Sequence, residues 1–165
     1  MNFENHLQYV IQAHGEYPLR PENATRRWDG KTPYSIHPIW CAMTLRTETS
    51  LPEELRETGS IALLYHDVLE DTKAGLPEDL PERVRHLVRE MTFLGGMTQE
   101  MEEIWNKGIE IKLLKLYDKV SNLLDGSWMT ADRAQQYRDH TKRLLDEAVA
   151  TYGELNIVRI ARAII

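Results

Sequence analysis

The charged block His66–Asp71 follows directly after the apolar run Ile61–Tyr65, and this junction constrains the fold more than any other feature of the chain. The block holds one histidine and three carboxylates. On a continuous helix, side chains four residues apart share a face, so the histidine would lie beside Glu70, and Asp67 beside Asp71 on the adjacent face. Neighbouring unpaired carboxylates repel each other, and a divalent cation is the simplest group that relieves the repulsion. We therefore expect a helix that ends in a metal site, as in a metal-dependent enzyme.

Apolar residues recur at helical spacing along the rest of the chain, and no stretch alternates strictly enough to predict a strand. The spacing predicts helices over residues 3–14, 36–47, 51–71, 81–92, 98–124, 131–152 and 155–164. Proline and glycine interrupt the pattern between residues 16 and 33, which predicts a loop there. We therefore predict an all-α fold in which residues 1–165 form one domain.

Composition and charge exclude several classes of partner. The chain has 165 residues, 42% of them hydrophobic, and a net charge of −6, which argues against a surface for the nucleic-acid backbone. Cys41 is the only cysteine, so no disulfide can form within the chain, and a reducing compartment fits. No apolar run approaches the roughly 20 residues of a membrane span, and no signal pattern is present. We expect a cytoplasmic protein that acts on a small molecule, with neither a nucleic-acid nor a membrane partner.

Further candidate ligands lie on other predicted helices. His37 stands at the start of the second helix, and Asp118 lies in the fifth. Asp118 belongs to a polar stripe that is equally typical of a solvated helix face and of a functional site. The stripe comprises Lys115, Asp118, Asn122 and Asp125. The remaining histidines are expected to be exposed or partly buried side chains without a ligand role; they are His6, His14, His86 and His140.

Three blocks of sequence, taken in order, resemble the HD-domain phosphohydrolase superfamily. They are Thr-Pro-Tyr-Ser-Ile-His-Pro at residues 32–38, Ala-Leu-Leu-Tyr-His-Asp-Val-Leu-Glu-Asp-Thr at 62–72 and Lys-Leu-Tyr-Asp-Lys-Val-Ser-Asn-Leu at 115–123. More narrowly, the blocks are similar to the hydrolase domain of RelA/SpoT-type alarmone enzymes, a group that includes small stand-alone hydrolases of metazoa. The resemblance covers about residues 5–150 and implies an HD-type helical bundle.

The resemblance implies a metal centre with an adjacent acid pair. The implied ligands are two imidazoles and two carboxylates: His37, His66, Asp67 and Asp118. This ligand set suits Mn²⁺ better than Mg²⁺ or Fe²⁺. A bound ion would polarise the phosphorus–oxygen bond and lower the pKa of its water towards ~7. Glu70 and Asp71 would orient or deprotonate that water, which implies hydrolysis of the 3′-diphosphate of (p)ppGpp-like nucleotides.

The substrate contacts implied by the resemblance lie on both sides of this centre. Arg27, with Arg26 beside it, matches the arginine that faces the nucleobase, and Asn122 matches an asparagine that holds a ribose or a phosphate. Lys31, Lys112, Lys115 and Lys119 offer charge to a phosphate, and Tyr137 matches a tyrosine that follows the last block. A loop with ordinary ion pairs and a packing tyrosine are the alternatives for the arginines and for Tyr137.

Two departures from the alarmone hydrolases leave the substrate open. The usual His-x-Gly-Gln-x-Arg stretch is replaced by His14-Gly15-Glu16-Tyr17 and extra residues, and Ser121 stands where an aromatic residue usually precedes the asparagine. The alternatives are an HD hydrolase for another nucleotide or phosphomonoester, and a non-catalytic nucleotide sensor. The apolar residues of 155–165 are expected to pack on the core or on another subunit, so a homo-oligomer is possible.

Overall fold

The computed structural model describes residues 2–165, and the secondary structure of these residues is helical. The helices are α1 Phe3–Glu16, α2 Ile36–Arg46, α3 Glu53–Tyr65, α4 Val68–Asp71, α5 Glu82–Met91, α6 Gly96–Glu103, α7 Ile109–Leu124, α8 Ala131–Tyr152 and α9 Asn156–Ile164. Among the described residues, sheet-type pairing is limited to isolated bridges between Pro18 and Thr72 and between Thr25 and Pro33. The predicted all-α class is confirmed, and five of the predicted helices match apart from one or two terminal residues.

The predicted continuous helix over residues 51–71 is wrong. Helix α3 ends at Tyr65, His66 and Asp67 form a turn, and α4 begins at Val68. The His66 ring contributes to this ending, because its Nδ1 atom lies 2.7 Å from the carbonyl oxygen of Leu63 in the last turn of α3. A side chain that bonds the preceding turn offers the backbone an alternative to continuing the helix. The face-sharing expected for a continuous helix therefore does not apply to the charged block.

The predicted helix over residues 98–124 is also interrupted. Helix α6 ends at Glu103, a 3₁₀ turn covers Ile104–Asn106, and Lys107 and Gly108 are extended before α7 begins at Ile109. The indole of Trp105 donates a hydrogen bond of 2.7 Å to the carbonyl oxygen of Met101, which closes the turn. The break lets α6 fold back beside α7 instead of continuing its axis.

Helix α7 is the centre of the bundle, with α2, α3, α5, α8 and α9 packed around it. Nearly all of its side chains from Ile111 to Ser121 are buried, and these include charged residues of the polar stripe. The solvated-face alternative for Lys115 and Asp118 is therefore wrong, and Lys119 is buried beside them. Close packing depends on Gly59 of α3, where a Cβ would come within 2.9 Å of a Leu45 methyl carbon.

The C-terminal helix packs on the core of its own chain, as one of the two alternatives expected. Ile157, Val158 and Ala161 are buried. The carboxylate of Glu48 accepts hydrogen bonds from the backbone N–H groups of Asn156 and Ile157, at 2.8 and 2.9 Å. These N–H groups open α9, where a helix leaves donors unpaired and carries partial positive charge. The same carboxylate accepts a hydrogen bond of 2.9 Å from the hydroxyl of Tyr117, so it joins α9 to α7.

None of the helices described here combines the length with the apolar character that crossing a lipid bilayer requires.

We expect Glu48→Ala to lower the free energy of unfolding by about 3 kcal/mol, because three donors, two of them buried and one partly buried, would lose a charged acceptor. Urea denaturation followed by circular dichroism measures this loss. Glu57→Ala is a matched control, since Glu57 is exposed on α3, and its effect should stay within about 0.5 kcal/mol. A loss of less than about 1 kcal/mol for Glu48→Ala would show that this carboxylate does not anchor α9.

Candidate metal centre

Four of the predicted side chains meet at one point inside the bundle. His37 comes from the first turn of α2, His66 and Asp67 from the turn between α3 and α4, and Asp118 from the middle of α7. The ligand-type atoms of His37, His66 and Asp118 all lie within 4.8 Å of one another. Asp67 Oδ2 lies 3.4 Å from Nε2 of His37 and 3.2 Å from Nε2 of His66. Asp118 Oδ1 lies 3.3 and 3.7 Å from the same two nitrogens.

The protonation geometry of the two imidazoles fits metal ligands. Nδ1 of His66 faces a carbonyl oxygen, which only accepts, so this nitrogen carries the hydrogen and a neutral ring has its lone pair at Nε2. Nδ1 of His37 is engaged by the Ser121 hydroxyl at 2.8 Å. The Nε2 atoms of both rings are buried and have no hydrogen-bond partner among the described residues. A buried polar atom without a partner requires an explanation, and a divalent cation between these nitrogens and the carboxylates supplies one.

The carboxylates also determine how the site behaves without a cation. Burial disfavours a charged imidazole, but the negative charges of Asp67 and Asp118 raise the pKa of His66 to about 9. A proton then occupies the position where a metal ion would bind, and metal binding must release it. Burial likewise disfavours an ionised carboxylate, but Lys119 and Lys115 hold the pKa of Asp118 well below its usual value.

Asp67 and Asp118 are each held by a hydrogen-bond donor beside the site. The hydroxyl of Tyr34 donates to Asp67 Oδ2 at 2.6 Å. The side-chain amide of Asn122 donates to Asp118 Oδ1 at 2.7 Å. Such outer contacts fix the orientation of a carboxylate before any ion arrives.

Glu70 and Asp71, the predicted catalytic pair, follow in the short helix α4. Burial, reinforced by the charge of Asp67, raises the pKa of Glu70 to about 7 and that of Asp71 to about 6. Glu70 Oε1 accepts a hydrogen bond of 2.7 Å from the backbone N–H of Phe93, and Asp71 accepts one from the side-chain amide of Asn23. Both carboxylates are therefore fixed in position and can exchange a proton near neutral pH.

A cavity of about 200 Å³ opens onto this centre. The acidic part of its lining consists of Glu22, Asp67, Glu70, Asp71, Glu100 and Asp118. The rest is mainly basic, amide-bearing and aromatic, and includes Arg26, Arg27, Tyr34, Lys119, Asn122, Trp128, Arg133 and Tyr137. Tyr34, Lys119 and Asn122 bond the acidic residues directly. The cavity therefore presents both carboxylates and cationic or hydrogen-bond-donating groups to a small polar molecule.

Most of the residues predicted to bind substrate line this cavity, but they differ in burial and in the contacts that they make. Arg26 is buried, pairs through Nε with Asp125 Oδ2 at 2.6 Å and donates to Asn122 Oδ1 at 2.8 Å. Arg27 is exposed and lies over the ring of Trp128. Lys31 is exposed and does not line the cavity, and neither does Lys112, which pairs with a glutamate of α8. Tyr137 is buried and lines the cavity.

Sequence analysis missed several cavity residues, among them Glu100, Trp128 and Arg133, and misjudged three histidines. The guanidinium carbons of Arg27 and Arg133 lie 4.7 and 5.1 Å from the ring centre of Trp128, in a cation–π arrangement. The available signal was a tryptophan followed by an arginine soon after the third block. Three of the four histidines expected to be exposed or partly buried are fully buried: His6, His14 and His140.

Comparison with known proteins found similarity to solved structures. No protein-family profile matches the chain, and no curated protein matches it. Among solved structures, the chain is similar to a metazoan ortholog of SpoT that hydrolyzes ppGpp and plays a role in starvation responses. The two chains are 29% identical, the match covers 98% of this chain and 92% of the other, and the TM-score is 0.74. This similarity confirms the predicted resemblance to SpoT-type hydrolases with an HD-type helical fold.

We expect Glu70→Gln to stabilise the metal-free protein at alkaline pH. The folded-state pKa of about 7 lies above the ordinary value of 4.5, so the contribution of Glu70 to stability is complete below pH 4.5 and is lost as pH rises through 7. At pH 8 the substitution should raise the free energy of unfolding by about 2 kcal/mol, and near pH 4.5 it should change little.

Urea denaturation in the presence of a chelator, at both pH values, measures this difference. Glu78→Gln is the control, because Glu78 is exposed in a loop and its substitution should have no effect at either pH. Equal stability of the Glu70→Gln variant and the parent protein at pH 8 would contradict the burial cost that we assign to Glu70.

Proposed function

We propose that this chain is a metal-dependent phosphohydrolase that removes the 3′-diphosphate from (p)ppGpp-like guanosine nucleotides. The observation that carries the proposal is the pair of unpartnered Nε2 atoms on His37 and His66, which face two carboxylates at the wall of a polar cavity. The similarity to a ppGpp-hydrolysing ortholog of SpoT supports the substrate class.

In this proposal His37, His66 and Asp118 hold a divalent ion, and Asp67 completes the ligand set. Mixed imidazole and carboxylate ligands suit Mn²⁺, which we propose as the ion. When bound, the ion supplies positive charge that polarises a phosphate group and makes water more acidic. The other tasks of the reaction fall to side chains of the cavity walls.

Glu70 and Asp71 are placed to handle the proton of the attacking water. Their pKa values of about 7 and about 6 leave both groups partly ionised near neutral pH, so one can accept a proton while the other already holds one. Water attacks the phosphorus next to the ribose, and the bond from this phosphorus to O3′ breaks. The proton taken from water then passes to O3′, which leaves as the free hydroxyl, and pyrophosphate is released.

Arg27 and Arg133 are the proposed phosphate contacts in the basic part of the cavity lining. Neither arginine has a carboxylate within 4.0 Å among the described residues, so their charge is available to a ligand. Stacking on Trp128 orients both guanidinium groups and leaves their N–H donors free. Two such cations offset the acidic part of the lining for a substrate that is itself negatively charged.

A second candidate function is hydrolysis of another nucleotide or a phosphomonoester. It is favoured by the contacts of Arg26 and Asn122, which bond each other and thereby occupy donors and acceptors that a nucleoside would use. The presence of Ser121 instead of an aromatic residue points the same way. A non-catalytic sensor is less well supported, because binding alone does not require the acid pair Glu70 and Asp71.

We expect metal-stripped protein to release pyrophosphate from ppGpp only after Mn²⁺ is added back. Asp118→Asn should reduce kcat/KM at least about a hundredfold, because it removes a ligand charge. Asp132→Asn, an exposed position on α8, is the matched control and should retain full activity. Pyrophosphate and phosphate release are measured over a panel of ppGpp, other nucleotides and simple phosphomonoesters.

The pattern of products decides between the candidates. Activity on monophosphates instead of ppGpp would retain the site and replace the substrate. Tight Mn²⁺ binding without activity on any compound would favour the sensor.

We expect Arg27→Ala and Arg133→Ala each to raise KM for the accepted nucleotide about tenfold with little change in kcat, because each removes a charged hydrogen-bond donor that binds ground and transition states alike. Arg159→Ala, exposed on α9, provides the control. Steady-state kinetics at fixed ionic strength gives both constants. An unchanged KM in both variants would place the phosphates elsewhere in the cavity.

A further inference from the structure

A second cluster of buried charges lies directly behind Asp118. Glu100 of α6 is 3% exposed, and Lys115 and Lys119 of α7 are 2% and 4% exposed. We propose that Glu100 is a positioning residue, which neutralises these two lysines so that their positive charge does not cancel the negative charge that Asp118 offers to the divalent ion. The inference rests on the metal site proposed above and adds a residue that is not a ligand.

The two lysines bridge the two carboxylates. Glu100 Oε2 lies 3.0 Å from Nζ of Lys115 and 2.8 Å from Nζ of Lys119. Asp118 Oδ2 lies 3.1 Å from each of the same nitrogens. The two positive and two negative charges therefore balance within one buried cluster, and each ammonium group is shared between Glu100 and Asp118.

The two oxygens of Asp118 have different partners. Oδ2 faces the lysines, whereas Oδ1 faces the Nε2 atoms of His37 and His66. If Glu100 lost its charge, two buried ammonium groups would face a single carboxylate. The resulting excess of positive charge would act on the metal site through a medium of low dielectric constant, where a divalent cation is repelled most strongly.

Glu100 is itself held from the other side. Its Oε1 atom lies 3.2 Å from Nε2 of His140 on α8, so both of its oxygens have partners. The break between α6 and α7 allows this arrangement, because it turns α6 back so that Glu100 reaches the buried face of α7. A buried carboxylate with every oxygen satisfied is a fixed charge, as an electrostatic positioning role requires.

The experiment is Mn²⁺ titration of the metal-stripped full chain by isothermal calorimetry, which does not depend on catalysis. We expect Glu100→Gln to weaken Mn²⁺ binding roughly ten- to hundredfold while the protein stays folded. The double variant Glu100→Gln with Lys115→Met removes one charge of each sign and should recover most of the affinity. Glu48→Gln is the matched control, since Glu48 is another buried carboxylate, whose hydrogen-bond partners are the Tyr117 hydroxyl and the first N–H groups of α9 and not the lysines, and it should not alter binding.

The outcomes separate the electrostatic role from simple packing. Affinity of Glu100→Gln equal to that of the parent would overturn the proposal. So would a double variant that binds no better than Glu100→Gln, because packing damage accumulates whereas charge imbalance is relieved.

If Glu100→Gln does not fold, the single variant Lys115→Met decides. It removes a cation beside Asp118 and should tighten Mn²⁺ binding, and unchanged or weaker binding would refute the electrostatic role. If the parent protein does not bind Mn²⁺ at all, the metal site itself fails, and this result is distinct from a parent that binds and a Glu100→Gln variant that is unaffected.

Discussion

The carboxylate of Asp118 connects the buried charges of α6 and α7 to the candidate metal centre. One of its oxygens faces the ammonium groups of Lys115 and Lys119, and the other faces the imidazoles of His37 and His66. Without Asp118, the two lysines would exceed the single negative charge of Glu100, and an uncompensated buried ion costs several kcal/mol. Because α7 supplies Asp118 at the centre of the bundle, the position of this helix determines both the metal centre and the stability of the charged interior around it.

The turn between α3 and α4 is the second constraint on the site. In an uninterrupted helix, adjacent residues point about 100° apart, so His66 and Asp67 would diverge. The break lets both side chains reach the same point: Nε2 of His66 lies 3.2 Å from Oδ2 of Asp67. It also places Glu70 and Asp71 in a separate short helix beside the cavity. A local loss of helix is thus what converts a run of charged residues into a site with distinct ligand and proton-handling parts.

The helical class could be predicted from the sequence, as could the set of side chains that converge at the candidate metal centre, because both depend on local signals. Helical periodicity is visible in any window, and three ordered blocks identify His37, His66 with Asp67, and Asp118. The helix breaks were missed because they depend on tertiary contacts, such as the His66 ring bonding the Leu63 carbonyl. The burial of Lys115 was missed because the charge that compensates it, on Glu100, lies on another helix and outside every recognised block.

The acidic part of the cavity lining, beside the candidate metal centre, is held more firmly by the fold than the basic part. On the metal side, short side chains on helices or on a tight turn are held by hydrogen bonds, as Asp67 is held by Tyr34. In the basic part, Arg27 and Arg133 reach the cavity with long side chains that lie over the ring of Trp128. Long side chains can adjust to different substrates, whereas the arrangement of side chains around a metal ion tolerates little movement. In the proposed function, the metal chemistry would therefore depend on the core of the bundle, and the choice of substrate on the loop before α2, the segment before α8 and the first turn of α8.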